Sequence, residues 1–512
     1  MSKEKNNYFL TTAIPYANAD PHIGFALEIL YADVMARFQR LLGKEVYFLT
    51  GTDEHGQKML KTAKDAERPV EDFAAEKSAL FQNLADQWNI TNDDFIRTTE
   101  TRHMERAQKF WEVVTESGDI YKKTYSGLYC VGCEAFKTEK DLVDGKCPDH
   151  HRVPEIVSEE NYFFKLSRYQ KPLESLFKER PDFVYPENRY KEMLNILKGG
   201  LEDVSISRSK EKLPWGIPVP GDDSQVMYVW FDALTNYITA LGYGSKDAKL
   251  LKKFWPGTHV IGKEINRFHS LLWPAMLMAA QLDVPKQIAV HGWITVDGQK
   301  MSKSLGNVIN PLELVEQHPL EAVRYFLMRE IPFDNDGNFS HKQFTERYNG
   351  DLANGIGNLT NRILVMIEKY TESRIPKVNE VDNELIDFLT KKIWPAYSEA
   401  MDSWRFDLGL AAAWKFVAHC DQLISDKQPW TMMKAGKTSE VNDLLYHLAE
   451  ALRHIAVMIW PVMPETAEKI LAQLGLDVAQ EFAKPLADLQ QWVDLTVGNK
   501  TNKGEPLFPR LT

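Results

Sequence analysis

The stretch from Tyr8 to Glu28 constrains this chain more than any other. Tyr8 to Ile14 is almost wholly apolar or β-branched, as in a strand buried on both faces of a parallel sheet. Pro15 stops the strand. Asp20 is then placed to cap a helix, with Pro21 at the first helical position, where no backbone N–H is needed. Ile23, Leu27, Leu30, Tyr31, Val34 and Phe38 follow at helical spacing. A strand feeding a helix this abruptly predicts an α/β unit with unpaired N–H groups at the end of the sheet. Such a terminus suits phosphate, His22 adds a donor, and Gly24 leaves room for a flat ring against the backbone. Taken alone, the same pattern also describes an ordinary βα unit with a surface histidine.

More strands of this kind follow. Glu45 to Thr50 runs into Gly51-Thr52-Asp53-Glu54-His55-Gly56-Gln57-Lys58, which puts Asp53 where ligand groups collect at strand ends. There a carboxylate can meet a cation such as an α-amine, or it can be a solvated turn residue. Residues 59–118 read as helical, with Leu60, Phe73, Leu80, Phe81, Leu84 and Trp88 facing inward. Gln225 onward reads as a strand passing into a helix that carries Trp230, Ala233, Leu234 and Tyr237. Thr258 to Lys263 is another strand, followed by a helix from Glu264 with His269 and Trp273 four apart on one face. An aromatic stripe of this kind is usually core, but a histidine beside it makes a half-polar, ring-lined pocket. Gln287 to Val296 reads as one further strand. Beyond it Lys300 and Lys303, flanked by Ser302, Ser304 and Gly306, form a cationic loop able to close over phosphates, or simply a solvated turn. From about Asp351 the chain turns helical to near residue 490, as in Leu410–Ile424 and Val441–Ile459. Pro506 to Arg510 is expected to tie the tail back to the body.

Between these strands the chemistry changes. Cys130-x2-Cys133 and Cys147-x2-His150 form two knuckles that hold three of the chain's four cysteines. Three thiolates and an imidazole match tetrahedral zinc with no open position, hence a structural site. His151 adjoins His150 and is the alternative fourth ligand; buried cysteines without metal are the alternative for the whole set. Cys420 lies in an apolar helical stretch and reads as core. With 512 residues the chain is long enough for about three or four domains. It has no run approaching the roughly 18 apolar residues of a membrane span, and its N-terminus lacks a signal-peptide core. So few cysteines in a chain this long point to a reducing cytoplasm. The net charge of −11 excludes a protein that coats nucleic acid non-specifically, though not a local basic groove.

Together, His22-Ile23-Gly24 and the late Lys300-Met301-Ser302-Lys303-Ser304 resemble the two ATP motifs of class I aminoacyl-tRNA synthetases. The cysteine knuckles, the Trp230-Phe231-Asp232-Ala233 segment and the His269-to-Trp273 helix are similar to the methionyl branch of that class, over nearly the whole chain. The resemblance implies a split Rossmann-type α/β catalytic domain with a zinc-bearing connective insertion, followed by an all-α helical-bundle anticodon-binding domain. Its implied boundaries are 1–117 and 229–296 for the catalytic halves, 118–228 for the insertion, 297–350 for the lysine loop and stem-contact region, and 351–512 for the helical domain. It implies ATP-dependent activation of L-methionine with Mg2+, then transfer to initiator and elongator methionine tRNA; no segment is large enough to suggest a separate editing domain, and a monomer is expected. His22, Gly24, Lys300 and Lys303 would bind ATP, with His22 and the two lysines catalytic. Asp53 would pair with the methionine ammonium, and Ala13, Ile14, Tyr16, Trp230, Ala233, Leu234, Tyr237, His269, Leu272 and Trp273 would line its side chain. Asn358, Arg362, Pro429 and Trp430 would read the anticodon. One departure stands out: Phe25 occupies the place where the family usually has a second histidine. The rival readings are a synthetase for cysteine or a branched aliphatic amino acid, and a zinc-containing tRNA-binding protein without catalysis.

Overall fold

Six strands make the sheet that organises the first half of the chain: β1 (Asn7–Thr12), β2 (Glu45–Thr52), β3 (Asp94–Arg97), β4 (Val184–Tyr185), β5 (Thr258–Gly262) and β6 (Gln287–His291). Their spatial order is β3-β2-β1-β5-β6-β4. The β1–β5, β5–β6, β6–β4 and β2–β3 pairs are parallel, with Leu10 opposite Thr258 and Thr12 opposite Val260. The chain therefore runs outward from β1 in one direction through β2 and β3, then returns to β1's other side through β5 and β6. That reversal opens a crevice at the carboxyl ends of β1 and β5, where ligands bind in folds of this kind.

The structure is a computed structural model that describes residues 6–130, 135–137, 139–148, 151–301, 307–492 and 495–511. It divides into two compact units. One comprises Asn7–Ala32 and Tyr47–His291, the other Met1–Asn6, Asp33–Val46 and Gly292–Thr512. The first is held by an aromatic core that includes Phe110, Trp111, Phe164, Phe177, Phe231 and Trp273. Helix α1 (Ile23–Leu41) crosses from β1 to β2, its residues buried almost all round, as its largely apolar sequence allows. Between β3 and β5 the chain inserts a four-stranded sheet in which Ile120–Cys130 and Glu155–Phe164 pair antiparallel from Ile120 opposite Phe164 to Tyr129 opposite Glu155.

In the second unit, Ile294–Val296 and Gln299–Lys300 form a hairpin. Its two turn residues, Asp297 and Gly298, both take positive φ (47° and 76°), the geometry an Asp-Gly pair supplies. Helices follow from Pro311 onward. At their centre runs Thr438–Ile459, whose residues from Leu444 to Ile459 are buried on every side. As expected, the tail is tied down: the Tyr348 hydroxyl donates to the Pro509 carbonyl at 2.8 Å, and Phe508 packs edge-on against the Tyr348 ring.

Three expectations about elements need correction. Residues 59–118 are not continuously helical, because Asp94–Arg97 is a strand at the edge of the sheet; with only Phe95 and Ile96 apolar, it is too short to carry a periodic signal. Gln287–Val296 is not one strand but two, in different sheets. It breaks at Gly292, where a Cβ would lie 2.2 Å from the Asn335 carbonyl oxygen. The helix expected from Glu264 begins with a tight turn at Lys263–Ile265 and a wide π turn over Phe268–Leu272, before regular helix at Trp273–Ala279.

Candidate active site

The first phosphate-binding candidate is built by the start of α1. Asp20 is not its cap: the helix begins at Ile23, and Asp20 is exposed and paired with Lys77 at 2.7 Å. His22 does the capping. Its carbonyl accepts from the Phe25 and Ala26 amides at 3.0 and 3.2 Å, and its Nδ1 accepts from the Gly24 amide at 3.1 Å. Three of the amides expected to point at a ligand are thus engaged locally. The same bond fixes the imidazole: with Nδ1 accepting, the neutral ring carries its proton on Nε2. Phe25 is buried and meets Phe81 edge-on at 5.0 Å, so its ring serves the packing of α1 against the helix Val70–Gln87.

At the end of β2, Asp53 is 3% exposed. Its amide donates to the Pro15 carbonyl at 2.9 Å and its carbonyl accepts from Ala17 at 3.0 Å, which seats Tyr16 beside it as a bridge between the two strand ends. The Lys58 ammonium lies 4.8 Å from the Tyr16 ring centroid. Across the crevice, the helix Val229–Thr239 presents Trp230, Ala233, Leu234 and Tyr237 at i, i+3, i+4 and i+7, one face of a helix. Trp230 stacks on Phe268 at 4.0 Å and meets His269 edge-on at 6.1 Å. The Tyr237 hydroxyl donates to His269 Nε2 at 2.8 Å, while His269 Nδ1–H donates to the Ile265 carbonyl at 3.0 Å. Both ring nitrogens of His269 are therefore satisfied, and burial pushes its pKa down to about 4. Burial likewise pushes the Tyr237 phenol up. Leu272 ends the π turn that carries His269 and Trp273 begins the helix after it; both are buried, with the Trp273 ring 6.2 Å from Tyr237. Ala13 and Ile14 continue β1 at the floor, both packed into the same apolar core.

Several residues of this site were missed by sequence reasoning. His259 is fully buried, stacks on Tyr237 at 4.0 Å, bonds Thr11 Oγ1 through Nδ1 at 2.7 Å and accepts from the Trp273 indole at 3.3 Å. Glu28, on α1 one turn beyond Gly24, bonds His291 Nε2 at 3.0 Å, and burial pushes its carboxyl up. Asp232 accepts from His55 and His103, each at 2.7 Å. Burial alone would raise the Asp232 carboxyl; the two imidazoles outweigh it and hold it below its usual range. The Arg208 guanidinium lies 4.5 Å from the Tyr228 ring centroid, at the residue preceding the pocket helix. An isolated His, Glu or Arg gives no local signal.

In the second unit, Lys300 closes the hairpin opposite Thr295, and Lys303 lies outside the described residues. Asn358 and Arg362 sit one turn apart on the helix Asn358–Thr371, which follows a π-helical segment over Tyr348–Gly357. Asn358 is exposed and Arg362 pairs with Asp421. Gln428 takes a left-handed conformation (φ 48°), ends the helix Phe406–Lys427 and lets Pro429 start a new one. Trp430, its second residue, is 42% exposed, whereas Pro429 is buried. Of the four residues expected to bind zinc, Cys130 and Cys147 are buried thiols in the small insertion, and Cys133 and His150 lie outside the described residues. His151 is exposed, in a left-handed conformation, with its amide donating to the Cys147 carbonyl. Cys130 ends the strand Ile120–Cys130 and Cys147 follows the turn at Asp144-Gly145; thiols are donors that zinc accepts.

A doubly wound sheet with a ring-lined pocket at its switch point, and a histidine-capped helix beside it, is the arrangement of a class I synthetase. The family model for class I tRNA synthetases (M) matches residues 8–153 and 150–364. A methionine–tRNA ligase of Thermotoga maritima is 44% identical over 98% of this chain and 80% of its own length. One from Brucella suis is 44% identical over all of this chain and 98% of its own. The Mycobacterium tuberculosis methionyl-tRNA synthetase solved with methionyl-adenylate superposes with a TM-score of 0.93 at 39% identity, covering 98% of this chain and 100% of that one. Its apo form gives 0.87 at 36% identity. The chain belongs to the methionine–tRNA ligases of class I.

Proposed function

We infer that this chain activates L-methionine with ATP to methionyl-adenylate and transfers the methionyl group to the 3′ end of methionine tRNA. The observation that carries the amino-acid choice is the Tyr237–His269–Ile265 chain of hydrogen bonds. It satisfies the pocket's polar atoms among themselves, leaving a lining of rings and apolar groups for a side chain that neither donates nor strongly accepts. A thioether fits that lining through shape and sulfur–aromatic contact, each worth about 0.3–1.5 kcal/mol. The Asp53 carboxylate, at the strand end beside Tyr16, pairs with the methionine ammonium and directs the substrate carboxylate toward the nucleotide.

Activation then needs alignment and charge neutralisation rather than a protein nucleophile. A methionine carboxylate oxygen attacks the α-phosphorus and the bond to the bridging oxygen breaks. Pyrophosphate departs with the electron pair. His22 donates through Nε2 to the phosphates, Gly24 underlies the adenine, and Lys303, with Lys300, neutralises the departing pyrophosphate. Mg2+, when bound with ATP, supplies further charge neutralisation at the phosphates. In the second step a terminal ribose hydroxyl of tRNA attacks the acyl carbon and AMP leaves. Trp430 stacks an anticodon base while Asn358 and Arg362 bond base edges. Cys130, Cys133, Cys147 and His150 would hold a structural zinc ion in the insertion.

Amino-acid-dependent ATP–pyrophosphate exchange tests this reading. Exchange is expected with methionine and not with cysteine, isoleucine, leucine or valine; no methionine-dependent exchange overturns it. Lys303→Ala is expected to lower the exchange rate by roughly two to three powers of ten, the value of one well-aimed donor to developing charge. Methionine affinity should change little, and a loss confined to that affinity overturns the lysine's role.

A further inference from the structure

We propose that Asp232 is a positioning residue for amine recognition, locking the Asp53 turn to the helix that carries the methionine pocket. This rests on the reading of Asp53 as the partner of the substrate ammonium. Asp232 is 1% exposed and lies on the face of its helix away from Trp230, Ala233, Leu234 and Tyr237, so its bonds run to the neighbouring elements. Its Oδ2 accepts from His55 Nδ1 and its Oδ1 from His103 Nε2, both at 2.7 Å. His103, on the helix Thr101–Glu116, closes the circuit through its Nδ1 to Thr239 Oγ1 at 2.8 Å, two turns along the pocket helix from Asp232.

His55 is the link to the substrate side. It stands two residues after Asp53, and its amide points at Asp53 Oδ1 at 3.4 Å. The Trp215 ring meets the His55 imidazole edge-on at 5.3 Å, and its indole N–H donates to the Glu54 carbonyl at 2.6 Å. The other shoulder of the turn is fixed separately. Glu54 receives the Arg97 guanidinium on both oxygens, at 2.7 and 2.9 Å, with Thr99 at 2.6 Å. The Asp53 turn is therefore anchored to β3 on one side and, through His55 and Asp232, to the pocket helix on the other. Without the second anchor the pocket helix keeps its apolar packing but loses its registration against Asp53. A charged pair aimed across a ligand is sensitive to displacements on the order of 1 Å.

The test compares inhibition of methionine-dependent ATP–pyrophosphate exchange in the full chain by two probes. 3-(Methylthio)propylamine keeps the thioether and the amine; 4-(methylthio)butanoate keeps the thioether and lacks the amine. In Asp232→Asn the amine probe should weaken about tenfold while the other stays within about twofold. His55→Ala should do the same, and His55→Asn should restore amine binding, because its amide nitrogen occupies the place of Nδ1. The His55 pair carries the test if Asp232→Asn does not fold. Equal weakening of both probes, no change in either, or failure of His55→Asn to restore amine binding overturns the proposal. Asp53→Asn separates the two levels. Amine-selective loss there without it in Asp232→Asn and His55→Ala overturns the positioning role alone; no selective loss there removes the ammonium reading and the proposal with it.

Discussion

Replacing Tyr237 by Phe removes one oxygen and keeps the ring that stacks on His259 at 4.0 Å. What it exposes is His269 Nε2. That nitrogen cannot take up a proton by changing tautomer, because Nδ1–H is committed to the Ile265 carbonyl at 3.0 Å, and it does not charge, because burial holds the ring's pKa near 4. It remains a bare acceptor facing the pocket. In the empty pocket water satisfies it; bound methionine expels that water and offers no donor in return. A buried acceptor left without a partner costs about 1–3 kcal/mol, so the methionine KM in pyrophosphate exchange should rise on the order of tenfold. The KM for ATP and kcat should hardly move, since the loss falls on uniform binding. A straight-chain amino acid ending in a hydroxyl can donate to the stranded nitrogen, so discrimination against it should narrow at the same time. A folded variant with an unchanged methionine KM and unchanged discrimination refutes the view that a satisfied histidine sets the pocket's polarity.

The remaining predictions concern the helical region, acid stability and the insertion. Trp430→Ala should leave methionine activation intact and lower kcat/KM for tRNA charging by about ten- to a hundredfold, the loss of one stacked base at 1–3 kcal/mol; unchanged charging dismisses the stacking role. His269 has a folded-state pKa of about 4 against 6.5 when unfolded. The unfolded chain therefore binds the extra proton between those values, and the contribution, complete above pH 6.5, is lost as pH falls toward 4. One such group is worth about 3 kcal/mol across the window, so the melting temperature should drop steadily below pH 6.5, and less steeply in His269→Gln. Chelation should release one zinc per chain and expose the insertion around Cys130 and Cys147 to proteolysis, readable by metal analysis and peptide mapping; a metal-free protein with an intact insertion removes the zinc reading.

The local grammar of the chain settled a good deal. Apolar runs such as the one closed by Pro15 announced parallel strands, because a sheet covered on both faces tolerates little else. The hairpin at Asp297-Gly298 was not read from the sequence, where Gln287 to Val296 counted as one strand leading to a loop; the helix that carries Trp230, Ala233, Leu234 and Tyr237 was legible. The tail anchored by Phe508 and Pro509 was equally legible. What local pattern could not supply were partners far away along the chain. His22 displaced Asp20 as the cap because its imidazole folds back on the Gly24 amide, a matter of rotamer rather than spacing. Thr11 meets His259 across 248 residues, and Asp232 meets His55 across 177. Each of those histidines is an ordinary polar residue until the sheet brings its partner within hydrogen-bonding distance. Sequence thus fixed which side chains are present at each strand end, because that depends on period and punctuation. Only tertiary structure decided which nitrogen carries a proton and which carboxylate holds which helix, because those depend on groups joined by the fold and not by the chain.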